Sequence, residues 1–305
     1  MLEKRVFKRL KHMNFQKLVQ RSNQFTTKWI NRRRTHHPTK EKLPVFIVGC
    51  NRSGTNMVCG AIGKSPHGWD YRESAFSIAF DGYYLRQDWI IEQLIRFTPA
   101  PLISFGSILD SQFTNSLISH FEGAKAIWVY RNFKDVANSC ARMQWGPTLK
   151  EIVKWVAKGE LDNIGARGKN ITPDTVQLFS EIYRDDISVV DGACLYWYMR
   201  NQLFFDLKLN ENPDVLILQY EDTVLNQEEN FQRVFEFLGF PFDPAIIEGI
   251  YASSVGKHSP PKIDPAIEEA CEPLKINLDA EYIKSKQYEF QFSEEQFRYE
   301  SAGRM

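Results

Sequence analysis

Leu43-Pro-Val-Phe-Ile-Val-Gly49-Cys-Asn-Arg-Ser-Gly54-Thr55-Asn-Met-Val is the stretch that most narrows what this chain can fold into. A run of mostly β-branched or aromatic residues leads into a tight polar loop and then a helix-like segment, so strand, loop and helix follow one another directly. Gly49 and Gly54 have the Gly-x-x-x-x-Gly spacing of a phosphate-binding loop. Successive backbone N–H groups in such a loop turn inward around an anion, and the helix starting near Thr55 aims its N-terminus at the same point. The Lys-Ser/Thr ending of an ATP-binding loop is missing. The basic residue, Arg52, lies inside the loop instead, which points to a related but different phosphate ligand.

The remaining pattern gives the fold class. His67–Glu73, Lys125–Arg131 and Val215–Tyr220 read as further strands, and helix-like segments separate them: Thr55–Ile62, Asn132–Met143, Val189–Leu209 and Gln227–Leu238, the last closed by Gly239. Gly63 and Pro66 read as the end of the first helix, and Asp135 as an N-cap of the second. Residues 76–120 read as two or three helices, and Gly146-Pro147 as a break before an excursion over 148–175. Strands alternating with helices mean a parallel sheet with helices on both faces, an α/β fold.

The formal net charge is zero, yet residues 1–42 hold thirteen Lys/Arg against two Asp/Glu, leaving twenty-five against thirty-six for residues 43–305. The expected organisation is therefore a basic N-terminal arm, 1–42, helical or partly disordered, on an acidic domain, 43–305. Val6, Phe7, Leu10, Met13, Leu18 and Val19 fall among the arm's cations at roughly helical intervals. Such an arm fits peripheral contact with an anionic membrane surface or docking on its own acidic body. No nucleic-acid motif accompanies the charge, so nucleic acid is not an expected partner. Five cysteines stand singly, which fits a reducing compartment and no structural zinc. No stretch is apolar for long enough to span a membrane, and a cytoplasmic protein is the default.

Gly49, Arg131 and Tyr220 all fall at carboxyl ends of expected strands, where open α/β sheets bind ligands. Arg131 offers a guanidinium fork and Ser139, eight residues on, a hydroxyl. A ligand with phosphates at both ends of a nucleoside matches that layout.

Three segments carry a resemblance. Phe46-Ile-Val-Gly-Cys-Asn-Arg-Ser-Gly-Thr55 resembles the 5′-phosphosulfate loop of sulfotransferases that use 3′-phosphoadenosine 5′-phosphosulfate (PAPS). Val129-Tyr-Arg-Asn-Phe-Lys-Asp-Val-Ala-Asn-Ser139 resembles that family's 3′-phosphate motif. Leu218-Gln-Tyr-Glu-Asp222, with the helix ending Phe237-Leu-Gly-Phe-Pro-Phe-Asp243, is similar to its late strand and helix. The resemblance implies a three-layer, P-loop NTPase-like fold with a central parallel sheet. It also implies that Ser53, Gly54, Thr55 and Asn56 hold the 5′-phosphosulfate, while Arg52 neutralises the bridging oxygen as the sulfuryl group leaves. Arg131 and Ser139 would hold the 3′-phosphate, and Tyr220 would lie near the adenine. Sulfuryl transfer needs in-line positioning and charge stabilisation, so no metal is expected.

The acceptor hydroxyl needs a base. Glu73, twenty-one residues after Arg52, stands where some family branches carry a glutamate; the bland alternative is a surface residue paired with Arg72 or Lys64. His120 is the other candidate base, and His67 reads as a turn residue. Met57 replaces the tryptophan that stacks on adenine in many members, and the C-terminal Arg-Lys-Gly pattern of the phenol and steroid branch is absent. Glu73 with Arg52 resembles instead branches acting on carbohydrates, glycolipids or protein tyrosines, so a glycan or glycolipid hydroxyl is the expected acceptor. Two rival readings fit the same residues: a P-loop kinase of a small molecule, and a non-catalytic, membrane-associated nucleotide-binding module.

Overall fold

The computed structural model describes residues 41–74, 77–143, 146–250 and 259–290. The basic arm up to residue 40 lies outside them, as do Lys257 and His258, late-loop residues that the sequence offers as further ligand contacts. Five parallel strands form the centre in the order β2-β5-β1-β6-β7: β1 (Leu43–Gly49), β2 (Gly68–Arg72), β5 (Leu102–Gly106), β6 (Lys125–Tyr130) and β7 (Val215–Gln219). A separate hairpin, β3 (Phe80–Asp81) with β4 (Tyr84–Leu85), lies between β2 and β5 in sequence.

The sheet is covered on both faces, and residue alternation shows it. Phe46 and Val48 of β1 join one apolar cluster, with Trp128 and Tyr130 of β6. Val45 and Ile47 join the opposite cluster, with Ile127 and Val129. This period of two is what a strand buried on both faces dictates, and it makes each strand read as a continuous apolar run. The second cluster is closed by α1 (Thr55–Lys64) and α9 (Gln227–Leu238). The first is closed by α4 (Phe133–Ala141), α5 (Gly146–Ala157), α7 (Val189–Asp206) and α10 (Pro265–Ser285). Between them in sequence lie α2 (Asp88–Phe97), α3 (Thr114–His120), α6 (Pro173–Ile182) and α8 (Tyr220–Leu225). Among the described residues no helix is long and apolar enough to cross a membrane.

Four local expectations are corrected. Residues 76–120 are not purely helical, because they contain the hairpin and β5, which is buried along its whole length and pairs with both β1 and β2. Leu102-Ile-Ser-Phe, between Pro101 and Gly106, is too short to show a readable period, and only its non-local pairing identifies a strand. Gly63 is not a cap: it lies inside α1, where a Cβ would fall 1.9 Å from Asp70 Oδ1, so it lets β2 pack closely. Asn132, not Asp135, caps α4, its side chain accepting from Lys134 N at 2.9 Å. Gly146-Pro147 opens α5 rather than interrupting it.

The sheet order places the topological switch between β1 and β6, whose following connections run to opposite sides. Gly49 at the end of β1 has φ 124°, and an added Cβ would fall 2.3 Å from the Val129 carbonyl oxygen of β6. Gly49→Ala is therefore expected to cost about 2–4 kcal/mol through backbone strain and collision. Thermal unfolding should show this as a drop of roughly 5–10 °C in Tm.

Candidate active site

At the carboxyl edge of the sheet, the loop after β1 turns on two left-handed positions, Arg52 at φ 70° and Gly54 at φ 95°. A non-glycine residue held at positive φ stores strain that surrounding contacts must hold in place. One such contact spans the edge: Arg52 Nε donates to Ser139 Oγ of α4 at 2.8 Å. A second is at Gly54, where a Cβ would fall 2.3 Å from Tyr220 Cδ2, so the glycine lies directly against that ring. The other end of the grip uses the same ring, since the Arg131 guanidinium carbon is 4.6 Å from its centroid. Arg52, Gly54, Ser139, Tyr220 and Arg131 thus form one connected group drawn from the ends of β1, β6 and β7 and from α4.

Buried polar atoms sharpen the picture. Ser53 is fully buried and its hydroxyl has no hydrogen-bond partner, an expensive arrangement unless a ligand oxygen completes it. Thr55 is buried beside it, whereas Asn56 is exposed in the first turn of α1. Arg131 is buried between two carboxylates, Asp135 Oδ2 at 3.0 Å and Glu221 Oε1 at 3.8 Å. Its backbone oxygen accepts from Trp197 Nε1 at 2.8 Å, which makes Trp197 a support for the arginine. Glu221 also takes the Asn132 N–H at 3.0 Å, and burial raises its pKa.

Glu73 stands immediately beyond β2, at the same edge. Its Oε1 accepts from Ile108 N at 2.9 Å and Leu109 N at 3.3 Å, the opening amides of the 3-10 turn Ile108–Phe113 that follows β5. Neither bland partner holds it, because Arg72 Nε pairs with Asp70 at 2.7 Å and Lys64 donates to the Glu248 carbonyl at 2.6 Å. Burial pushes the Glu73 carboxyl up to about 7, against the two amides that favour its charge, and the neighbouring Asp110 adds to the rise. A carboxyl near neutrality at the rim of a phosphate-type loop is suited to proton transfer. His120 is not: it ends α3, ahead of β6 and so at the opposite edge of the sheet, with its Nε2 3.1 Å from Glu92. The structure thus corrects the second candidate base.

A family description reading "Sulfotransferase domain" matches residues 42–258. The chain belongs to the sulfotransferase domain family. Among solved structures, the sulfotransferase domain from the curacin biosynthetic pathway is 15% identical over 86% of this chain and 98% of that one, with a TM-score of 0.43. A sulfotransferase from Alicyclobacillus acidocaldarius is 14% identical over 85% and 99% of the two chains, with a TM-score of 0.44. Mouse sulfotransferase SULT7A1 complexed with PAP is 14% identical over 86% and 90%, with a TM-score of 0.38. A comparison with curated protein sequences finds no match.

In this sulfotransferase the turn Ile108–Phe113 does more than sequence reasoning foresaw. Ser111 Oγ accepts the Gly49 N–H at 2.9 Å and donates to Ile108 O at 2.7 Å, so the turn that holds Glu73 is fastened to the end of β1. Arg200, fully buried on α7, braces it from below through Gln112 Oε1 at 2.9 Å and Ile108 O at 2.8 Å. Arg200 is the one cation of a helix rich in aromatic and aliphatic residues, and that was the available signal, since a charge is buried only with specific partners. Tyr196, one turn earlier, donates to Asn51 Oδ1 of the loop at 2.9 Å. Among the described residues no group of three or more His, Cys, Asp or Glu is placed to hold a metal ion.

Proposed function

We propose that this sulfotransferase takes its sulfuryl group from PAPS and delivers it to an acceptor hydroxyl, with a glycan or glycolipid as the acceptor class. The observation that supports the reading most is the 2.8 Å bond from Arg52 to Ser139, which joins the two phosphate motifs across 87 residues of sequence. The residues fit the donor: a glycine-turned loop, the partnerless Ser53 hydroxyl inside it, and an arginine at the far end over Tyr220. When bound, PAPS supplies the activated sulfuryl group. Ser53, Gly54, Thr55 and Asn56 receive its 5′ end, Arg131 and Ser139 its 3′-phosphate, and Tyr220 lies near the adenine.

The chemistry then divides between two side chains. Glu73, ionised, takes the acceptor's proton as the new S–O bond forms. Arg52 balances the negative charge left on the phosphate oxygen as the old S–O bond breaks, which is where preorganised charge lowers a barrier most. Little of this requires covalent catalysis; the protein's contribution is alignment.

Calorimetric titration tests the reading. The protein should bind 3′,5′-ADP at micromolar or tighter concentration and prefer it to ATP. Losing a charge-assisted pair typically costs about 1.5–3 kcal/mol, so Arg131→Ala should weaken 3′,5′-ADP by roughly 10–100-fold. Arg131→Lys, which still offsets Asp135 and Glu221, separates lost phosphate recognition from a destabilised pocket. Preference for ATP would favour a kinase instead. Peripheral membrane contact through the basic arm is a separate proposal, read out by liposome sedimentation with and without residues 1–42.

A further inference from the structure

The turn Ile108–Phe113 carries a second acid to which the chemistry above gives no part. Asp110 follows directly on the two residues whose amides hold Glu73, and it is buried. Its Oδ2 accepts from Leu85 N of β4 at 2.9 Å, so the β3–β4 hairpin is tied to the turn at that point. The hairpin is itself anchored: Ala79 and Phe80 lie in the apolar core, and Arg86 N donates to the Ala79 carbonyl at 3.0 Å. Position 110 therefore joins the hairpin to the element that carries the candidate base.

A fastening alone needs only an acceptor. Asparagine would take the Leu85 N–H through its side-chain carbonyl without placing a charge in a buried site. A carboxylate there is the costlier choice, and its surroundings do not pair it with a cation. Arg200 of α7 is the cation whose charge reaches both Asp110 and Glu73, yet its two hydrogen bonds run to the uncharged Gln112 Oε1 and Ile108 O. Two buried acids thus share one buried cation. The other titratable groups beside Glu73 are Cys59 of α1, whose thiol burial keeps protonated, and Arg72, which is paired with Asp70. Burial pushes the Asp110 carboxyl up to about 6, against about 7 for Glu73, so Asp110 is the first of the two to release its proton.

We propose that Asp110 is a positioning residue for Glu73: it ties the β3–β4 hairpin to the turn that holds the base, and its carboxylate, carried on that same turn, makes Glu73 the stronger base. The proposal rests on the sulfotransfer reading above, in which Glu73 takes the acceptor's proton, and adds the group that tunes it. Asp110 acts through Glu73, because a like charge nearby disfavours the ionised carboxylate and so favours the protonated product of the transfer.

The test is a carbon-13 NMR titration of the full chain with labelled glutamate and aspartate carboxyls, Glu73 being identified by its loss in Glu73→Gln and Asp110 by its loss in Asp110→Asn. In the unaltered protein Asp110 should ionise at lower pH than Glu73. In Asp110→Asn, which keeps the hairpin bond and removes only the charge, the Glu73 midpoint should fall by roughly 0.5 pH unit or more, and the acid limb of kcat should move down with it. A Glu73 midpoint that is unchanged in Asp110→Asn overturns the proposal, since Asp110 then serves only as a fastening. So does an Asp110 that is still protonated where Glu73 ionises, a result read on the unaltered protein whether or not the variant folds. Neither titration needs sulfuryl transfer. Absence of labelled product with every acceptor removes the sulfotransfer reading, while the Glu73 midpoint still judges Asp110.

Discussion

Arg52→Ala is expected to abolish measurable sulfuryl transfer while leaving 3′,5′-ADP binding within a few-fold of the parent. The expected loss is at least 10²–10³-fold in kcat, the range seen when one preorganised donor is removed from a site of developing charge. The separation of the two readouts follows from the layout. Arg52 is exposed and reaches across the edge of the sheet to Ser139, whereas Arg131 and Ser53, the proposed nucleotide contacts, are buried. In the proposed role its charge matters most where a bond to phosphate oxygen breaks, so its removal should strike kcat rather than ground-state affinity. A Ser139→Ala variant gives the contrast: it frees the Arg52 side chain but keeps its charge, and is expected to weaken 3′,5′-ADP with a smaller effect on kcat. If both changes altered only binding, Arg52 would be a phosphate anchor and nothing more.

Glu73→Gln is the second large effect, a fall in kcat of about 10²–10⁴-fold, the range attributable to a general base. The pH dependence gives it a signature. Burial disfavours the Glu73 carboxylate and lifts its pKa from 4.5 to about 7, so the base form is lost as pH falls through 7. The parent's kcat should then drop tenfold per pH unit below about 7, and the residual rate of Glu73→Gln should lack that limb. Stability moves in the opposite sense. Between pH 4.5 and 7 the folded state holds a proton that the unfolded chain has released, so this group makes stability fall as pH rises across that window. The shift corresponds to roughly 3 kcal/mol at most. Glutamine still accepts from the Ile108 and Leu109 amides but carries no charge, so the variant should match or exceed the parent's Tm at pH 8 and lose that advantage towards pH 4.5. A Glu73 that served only to fasten the turn would show the same pH-dependent difference in Tm but not the lost limb.

The segments that sequence made legible share a property: their signals are local. β1, the loop and α1 are encoded in consecutive residues, and Gly49 and Gly54 are needed where the backbone passes Val129 and Tyr220 too closely for a side chain. Arg131 and Ser139 sit on one short strand-to-helix passage, so their joint presence at the edge was readable from spacing. What escaped notice was carried by partners far away in sequence. β5 is defined by pairing with β1 and β2, and the turn it feeds binds Glu73 across 35 residues. Arg200 reaches that turn across 88 and 92 residues. α10 was likewise unread, because Pro273 interrupts its pattern; its Asp264 cap accepts from Ala266 N at 3.0 Å, and its Asp279 accepts from Tyr130 Oη at 2.9 Å and Gln219 Nε2 at 2.7 Å, covering β6 and β7. Glu73 could be placed by position but not by environment: its raised pKa depends on burial beneath a turn that the sequence had not revealed.

The most direct measurement is incubation of the protein with sulfur-labelled PAPS and a panel of glycan, lipid and phenolic acceptors, followed by separation of labelled product. Label is expected on a hydroxyl-bearing acceptor together with an equal amount of 3′,5′-ADP, with no transfer by Arg52→Ala. Tight binding of PAPS with no label transferred to any acceptor, or transfer undiminished by Arg52→Ala, would contradict it.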